Sequence, residues 1–178
     1  AAQMQAETDA LTGLHNRRAM DQRLCDMTQS RRRTEFGLMH LDLDFFKQVN
    51  DTHGHAAGDH VLLKVASILR EETRANDLVA RVGGDEFVLI FPDCTDVTLL
   101  DTIAARIIAR LEEPIPFGSQ QCRISASIGT TISSLYSEPD PDRMLSDADT
   151  ALYQSKNAGR ARHTLFKDAF EAGDMVAH

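Results

Sequence analysis

An α+β domain with a mainly antiparallel sheet is the fold class this sequence predicts, on three observations. Short apolar runs with strand-like composition lie at residues 36–42, 77–82, 87–91 and 122–131. The second and third flank a glycine turn, which makes a hairpin rather than a crossover. The stretches with helical spacing do not alternate one-for-one with these strands, so the order is helix, strand, helix, helix, hairpin, helix, strand, helix.

The elements follow in order. Residues 1–8 are small and polar and are expected to end a linker helix. Asp9 is placed to cap the turn Leu11-Thr12-Gly13-Leu14. A helix over about residues 16–29 carries Arg18 and Arg23, and Arg31 to Arg33 extend its basic side. The strand at 36–42 offers Phe36, Leu38, Leu41 and Leu43 to the core. Asp44 is expected to cap a short helix through Phe45 and Val49, followed by a polar loop over 50–58. Val61, Leu62, Val65, Ile68 and Leu69 then mark a long helix. In the hairpin, Leu78, Ala80 and Val82 alternate on one strand and Phe87, Leu89 and Phe91 on the other, which Pro92 ends. Leu100, Ile103, Ala104, Ile107 and Leu111 form the apolar face of a helix over 97–111. The strand at 122–131 is rich in Ile, Ser and Thr. Pro141 opens a last helix through Met144, Leu145, Ala148, Leu152 and Tyr153, ending near Gly159. The domain is expected over 9–168, with 169–178 as a tail.

Composition narrows the function. The 178 residues suit one domain able to bury a full core without staples. Acidic residues outnumber basic ones, 27 to 19, for a formal charge of -8. That balance repels a phosphate backbone and argues against nucleic acid as a partner, while allowing one small phosphorylated ligand held by local cations and a metal. Cys25, Cys94 and Cys122 are odd in number and scattered, as in a reduced cytoplasmic domain. No apolar run is long enough to span a bilayer. The chain opens on Ala1 without an initiator Met, so a piece of a longer parent protein, with room for a membrane tether outside this segment, is expected.

The chemistry lies in the carboxylates. Asp42 follows an apolar strand and Asp85 sits in the hairpin turn, so neighbouring strands would bring both to one end of the sheet. Paired carboxylates repel unless a cation lies between them, and oxygen-only ligands suit Mg²⁺ or Mn²⁺. The Leu43 carbonyl is a further candidate ligand. An isolated turn Asp is most often only a turn residue. Gly83 and Gly84 leave the backbone open to phosphates, although a Gly-Gly turn also serves purely conformational ends. Glu86 adds a carboxylate suited to deprotonating a hydroxyl, or simply a solvated strand residue.

Gly83-Gly84-Asp85-Glu86-Phe87 resembles the motif that names the GGDEF domains, the diguanylate cyclases. Three further segments carry the resemblance: Asp9-Ala10-Leu11-Thr12-Gly13-Leu14 with Asn16-Arg17-Arg18; Asp42-Leu43-Asp44-Phe45-Phe46-Lys47 with Asn50-Asp51, Gly54-His55 and Gly58-Asp59; and Ala151-Leu152-Tyr153 with Lys156 and Gly159-Arg160. They occur in the family's order and cover about residues 9–166. The first acidic position of the turn is Asp85 where many relatives carry Glu.

The resemblance implies a five-stranded, palm-like nucleotidyl cyclase fold with a ferredoxin-like core. It implies Asp42, Asp85 and the Leu43 carbonyl as metal ligands. Asn50 and Asp59 would read guanine, whose N1–H and N2 amine suit a carboxylate acceptor. Lys47, Lys156 and Arg160 would neutralise the triphosphate, helped by backbone N–H groups near Phe45 and Phe46. Arg81 would stabilise transition-state charge. The implied reaction joins two GTP into cyclic di-GMP and releases two pyrophosphates, on a homodimer controlled by an upstream sensor domain. Arg74 and Asp77, an R-x-x-D with five residues between it and Gly83, resemble a product-inhibition site, to which Arg106 would add a contact. The alternative is a non-catalytic GGDEF module that senses GTP or cyclic di-GMP; a third is a purine cyclase acting within one nucleotide. His53, His55 and His60 lie close together but lack the further ligand a zinc site needs.

Overall fold

The computed structural model describes residues 6–29 and 34–166. Along the chain run α1 (Arg17–Gln29), β1 (Phe36–Asp44), α2 (Phe46–His53), α3 (His55–Glu71), β2 (Leu78–Arg81), β3 (Glu86–Pro92), α4 (Val97–Leu111), β4 (Ile115–Phe117), β5 (Gln120–Cys122), β6 (Ser125–Ile132), α5 (Pro141–Asn157) and β7 (His163–Leu165). The main sheet has the order β2-β3-β1-β6-β7 and is antiparallel except for the parallel β6–β7 edge. This is the five-stranded, mainly antiparallel sheet expected. The central position of β1 explains its nearly continuous apolar run: both faces of the sheet are covered.

The two faces differ. Met39, Leu41 and Leu43 of β1 join Phe87, Leu89 and Phe91 of β3 in a core closed by α3 and α4. Phe36 and Leu38 face the other way, with Val88 and Ile90, against Met20, Leu24 and Met27 of α1 and Met144 and Ala148 of α5. The spacing of four and three in α1 puts its buried side chains on one stripe. Along β1 this second face changes character at every other residue: Phe36, Leu38, then His40, Asp42 and Asp44. The apolar end is covered by helices; the acidic end is the candidate site.

Several boundaries depart from expectation. Residues 1–5 of the expected linker helix, Arg31 to Arg33 and the tail 169–178 lie outside the described residues. Residues 6–8 are not helical; Thr8 bridges to His15 instead. The first strand runs past Asp42 to Asp44 because β6 keeps pairing, Asp42 with Ser127 and Asp44 with Ser125. Asp44 therefore caps nothing. It is 1% exposed, and Phe45 is the N-cap of α2, with a left-handed φ of 68° and no side-chain cap. The expected loop over 50–58 is mostly helix, since α2 and α3 meet at Gly54 alone. The expected strand at 122–131 begins at Ser125, and Cys122 instead ends a small β4–β5 hairpin the periodicity does not reveal. Strand β7 is equally unforeseen; three residues carry too little pattern. On α5, Leu152 is buried but Tyr153 is 63% exposed.

Candidate active site

Register builds the site. In the β1–β3 ladder Asp42 stands opposite Glu86, and the Leu43 amide donates to the Asp85 carbonyl at 3.0 Å. The hairpin turn is thereby fastened to the central strand, and Asp42, Asp85 and Glu86 share one sheet end. Burial pushes the Asp85 carboxyl up from its ordinary pKa; the Asp42 carboxylate, and to a lesser degree Glu86, add to it, while Lys156 opposes it. The Lys156 ammonium, from the last turn of α5, lies 2.8 Å from Asp42 Oδ2. Asp42 Oδ1 is buried and has no hydrogen-bond partner among the described residues.

Asp44 plays a different part. Its carboxylate accepts from the Ser125 hydroxyl at 2.7 Å, the Ser127 hydroxyl at 2.9 Å and the Ala161 amide at 3.2 Å. Arg160 Nε lies 3.9 Å away. A buried carboxylate so fully satisfied is an anchor: it ties the end of β1 to β6 and to the loop after α5. Arg160 and Ala161 have φ of 66° and 50°, a strained turn that this anchor holds. The Arg160 guanidinium sits over the Phe45 ring at 5.8 Å. Sequence reading missed this role, although Ser125 and Ser127 alternate with apolar residues on one face of β6.

Neither Gly83 nor Gly84 has a positive φ, so the turn does not use glycine's backbone freedom. It uses space. A Cβ on Gly83 would lie 2.6 Å from Glu86 Oε2, while Gly84 is open. Arg81 Nε and Nη2 donate to the Gly84 carbonyl at 3.1 and 2.9 Å, and Nη1 reaches both oxygens of Asp9 at 3.2 Å. These contacts hold the turn. Asp9 in turn caps Thr12, accepting from its amide at 2.9 Å and its hydroxyl at 2.7 Å. Burial works against the Asp9 carboxylate, but the Thr12 hydrogen bonds and Arg81 outweigh it and lower its pKa.

Across Gly54, Asn50 of α2 packs against Gly58 of α3. A Cβ at 58 would fall 1.8 Å from Asn50 Oδ1, so only glycine admits that side chain. Asp59 follows, exposed, on the same turn, and Phe46 and Lys47 open α2 nearby. His53 meets Gln120 at 2.5 Å and the His60 ring packs on Phe117, so both tether the β4–β5 hairpin. Among the described residues no group of three His, Cys, Asp or Glu side chains could hold a metal. The acidic end nevertheless fits a divalent ion. It supplies repelling carboxylate oxygens, one of them partnerless and buried, and Mg²⁺ takes few protein ligands beside water and phosphate.

Arg74 and Asp77 lie apart from this, in the turn between α3 and β2. The Asp77 side chain is buried and accepts from the Arg74 amide at 2.7 Å, leaving Oδ1 without a hydrogen-bond partner among the described residues. The Arg74 side chain is 70% exposed. A cavity of about 290 Å³ beside them is lined by Gly13, His15, Arg70, Thr73, Arg74 and Asp77, among others. Arg106 of α4 is ion-paired with Glu72 at 3.0 Å, two residues from Arg74.

A palm-like sheet with acidic residues at one end defines the nucleotidyl cyclase class of fold. The family "Diguanylate cyclase, GGDEF domain" matches residues 6–162, and the chain belongs to it. It is 38% identical over 166 residues to the bifunctional diguanylate cyclase/cyclic di-GMP phosphodiesterase MucR of Pseudomonas aeruginosa, covering 92% of this chain and 24% of that protein. It is 41% identical over 167 residues to the response regulator PleD of Caulobacter vibrioides, covering 87% and 35%. The chain thus spans about a quarter to a third of these relatives. The GGDEF domain of DgcB from Caulobacter crescentus, solved with c-di-GMP, superposes with a TM-score of 0.84 at 32% identity, covering 93% of this chain and 98% of that one. Among the described residues no helix is long and apolar enough to cross a membrane.

Proposed function

We propose that this domain is an active diguanylate cyclase that condenses two GTP into cyclic di-GMP. The observation that carries the reading is the intact acidic end: Asp42, Asp85 and Glu86 gathered by register, with Asp42 Oδ1 buried and unpartnered beside Lys156. A Mg²⁺ or Mn²⁺ ion held by Asp42, Asp85 and the Leu43 carbonyl would supply Lewis acidity and charge neutralisation at the phosphates. Asn50 and Asp59 bind the guanine edge. Lys156, Arg160 and Lys47 neutralise the triphosphate, with the α2 N-terminus at Phe45 and Phe46 donating backbone N–H groups. Glu86 takes the proton of a ribose 3′-hydroxyl as its oxygen attacks the α-phosphorus of the second GTP; a P–O bond forms and the bond to pyrophosphate breaks. Repeating the step from the other nucleotide closes the ring. One domain holds one GTP, so two copies must face each other, and their proximity is the point where an upstream sensor in the parent protein exerts control.

Arg81 serves this reaction by shaping the turn, since its described contacts are to Gly84 and Asp9. Arg74 and Asp77 form the product-inhibition site: the exposed guanidinium grips phosphate or the guanine Hoogsteen edge, and Asp77 faces the base. Arg106 would have to leave Glu72 to join them.

The test is turnover of GTP with Mg²⁺ by the purified chain, with product identified by mass across protein concentration. Cyclic di-GMP whose rate per protein rises with concentration is expected, and Asp85→Ala abolishes it. No product from the wild type at high concentration would favour the sensing module. A cyclic mononucleotide would favour a cyclase acting within one GTP.

A further inference from the structure

We infer that His40 is a positioning residue for Glu86, fixing its carboxylate over the glycine turn; the catalytic half of this inference rests on the cyclase reading above. His40 is the residue at which the α1/α5 face of β1 changes from apolar to acidic. Its cross-strand neighbours are Val88 and Gly129, and its side chain is 13% exposed. Both ring nitrogens are buried, and among the described residues neither has a hydrogen-bond partner. They are not without neighbours. Nε2 lies 3.6 Å from Glu86 Oε1, and Nδ1 lies 3.5 Å from Asp149 Oδ1 on α5.

A buried polar atom left unpaired keeps its full desolvation cost, so a small movement that pairs it is favourable. A neutral imidazole has one N–H, and two carboxylates compete for it. Exposure separates them. Asp149 is 63% exposed and can turn to water, whereas Glu86 is 42% exposed and its carboxylate lies over Gly83 at the sheet end. The N–H is therefore placed on Nε2, and closing the 3.6 Å gap by a few tenths of an ångström makes the hydrogen bond. The result holds Glu86 in one rotamer above the turn, opposite Asp42, where its second oxygen faces the reacting hydroxyl.

The test is a double-mutant cycle read in two ways. His40→Phe keeps an aromatic ring and removes the donor; His40→Gln restores an N–H; Glu86→Ala removes the partner. In thermal unfolding of metal-free protein, the shifts of His40→Phe and Glu86→Ala should fail to add, by about 2 °C. In turnover, His40→Phe should lower kcat about tenfold with KM for GTP changed less than about twofold. His40→Gln should recover most of that loss, and His40→Phe should change residual turnover little once Glu86 is alanine. Additive unfolding shifts overturn the pairing whatever the turnover shows. Coupled shifts in a wild type that makes no cyclic di-GMP overturn the cyclase reading and leave the contact standing. Equal loss of kcat in His40→Phe and His40→Gln overturns the positioning role.

Discussion

Asp85 bears the cost of the site when no cation is present. Its carboxyl is pushed up by burial and then by Asp42, so ionisation at neutral pH works against the fold. A carboxyl with a raised folded pKa gives most stability below its unfolded pKa and loses it as pH rises through the folded value. Asp85→Asn should therefore raise the Tm of the metal-free protein at neutral pH by about 2 °C, a modest figure because the site is open to water. Wild type should gain Tm on adding Mn²⁺ and the variant should gain much less; equal gains would place the ion elsewhere. Gly58 is the second informative residue. Alanine there must displace the Asn50 amide, since the added carbon would overlap Oδ1. Gly58→Ala is expected to raise KM for GTP about tenfold, as loss of ~1.4 kcal/mol of binding does, with a smaller change in kcat. Steady-state kinetics separate the two.

The segment before α1 acts as an element in its own right. His15 pairs with β2, its amide donating to Val79 and its carbonyl accepting from the Arg81 amide, so the segment covers the sheet edge. Asp9 then joins the Thr12 turn to Arg81, and Arg81 to Gly84. This clip reaches from the start of the domain to the glycine turn in direct contacts. The Asp9 pKa is lowered, so its contribution is present above the ordinary carboxylate range and fades as pH falls through the lowered value. Asp9→Asn should cost about 1–2 kcal/mol at pH 7, and the gap to wild type should narrow progressively as pH falls below about 4. Urea denaturation at both pH values measures it. A gap that stays constant with pH would mean the carboxylate charge is irrelevant.

At the scale of the molecule, two sites lie near opposite ends of β2: the turn Arg74–Asp77 and its cavity before it, the acidic turn after it. The same opening segment touches both. Arg70 Nη2 donates to the Thr12 carbonyl at 2.7 Å beside the cavity, and Thr12 contacts Asp9. Arg74→Ala should weaken cyclic di-GMP binding at least about tenfold and relieve inhibition, while GTP turnover without product stays near wild type. Calorimetry with cyclic di-GMP and progress curves with GTP check the two halves; unchanged binding would remove Arg74 from the site.

The sequence by itself determined the fold class, the hairpin and the family, and named the residues proposed for metal, guanine and phosphate. Those rest on local periodicity and on motifs whose residue types are set by their chemistry. Tertiary structure decided the rest because register and long-range contact have no local signature. Asp44 follows Asp42 by two residues and shares its face, yet Ser125 and Ser127 make it an anchor while Asp42 Oδ1 stays unpartnered. Arg81 and Asp9, far apart in sequence, meet only because the opening segment pairs with β2. His40 reads as one polar break in an apolar strand. Only the pairing of β3 beside it and the packing of α5 on the sheet place it between two carboxylates.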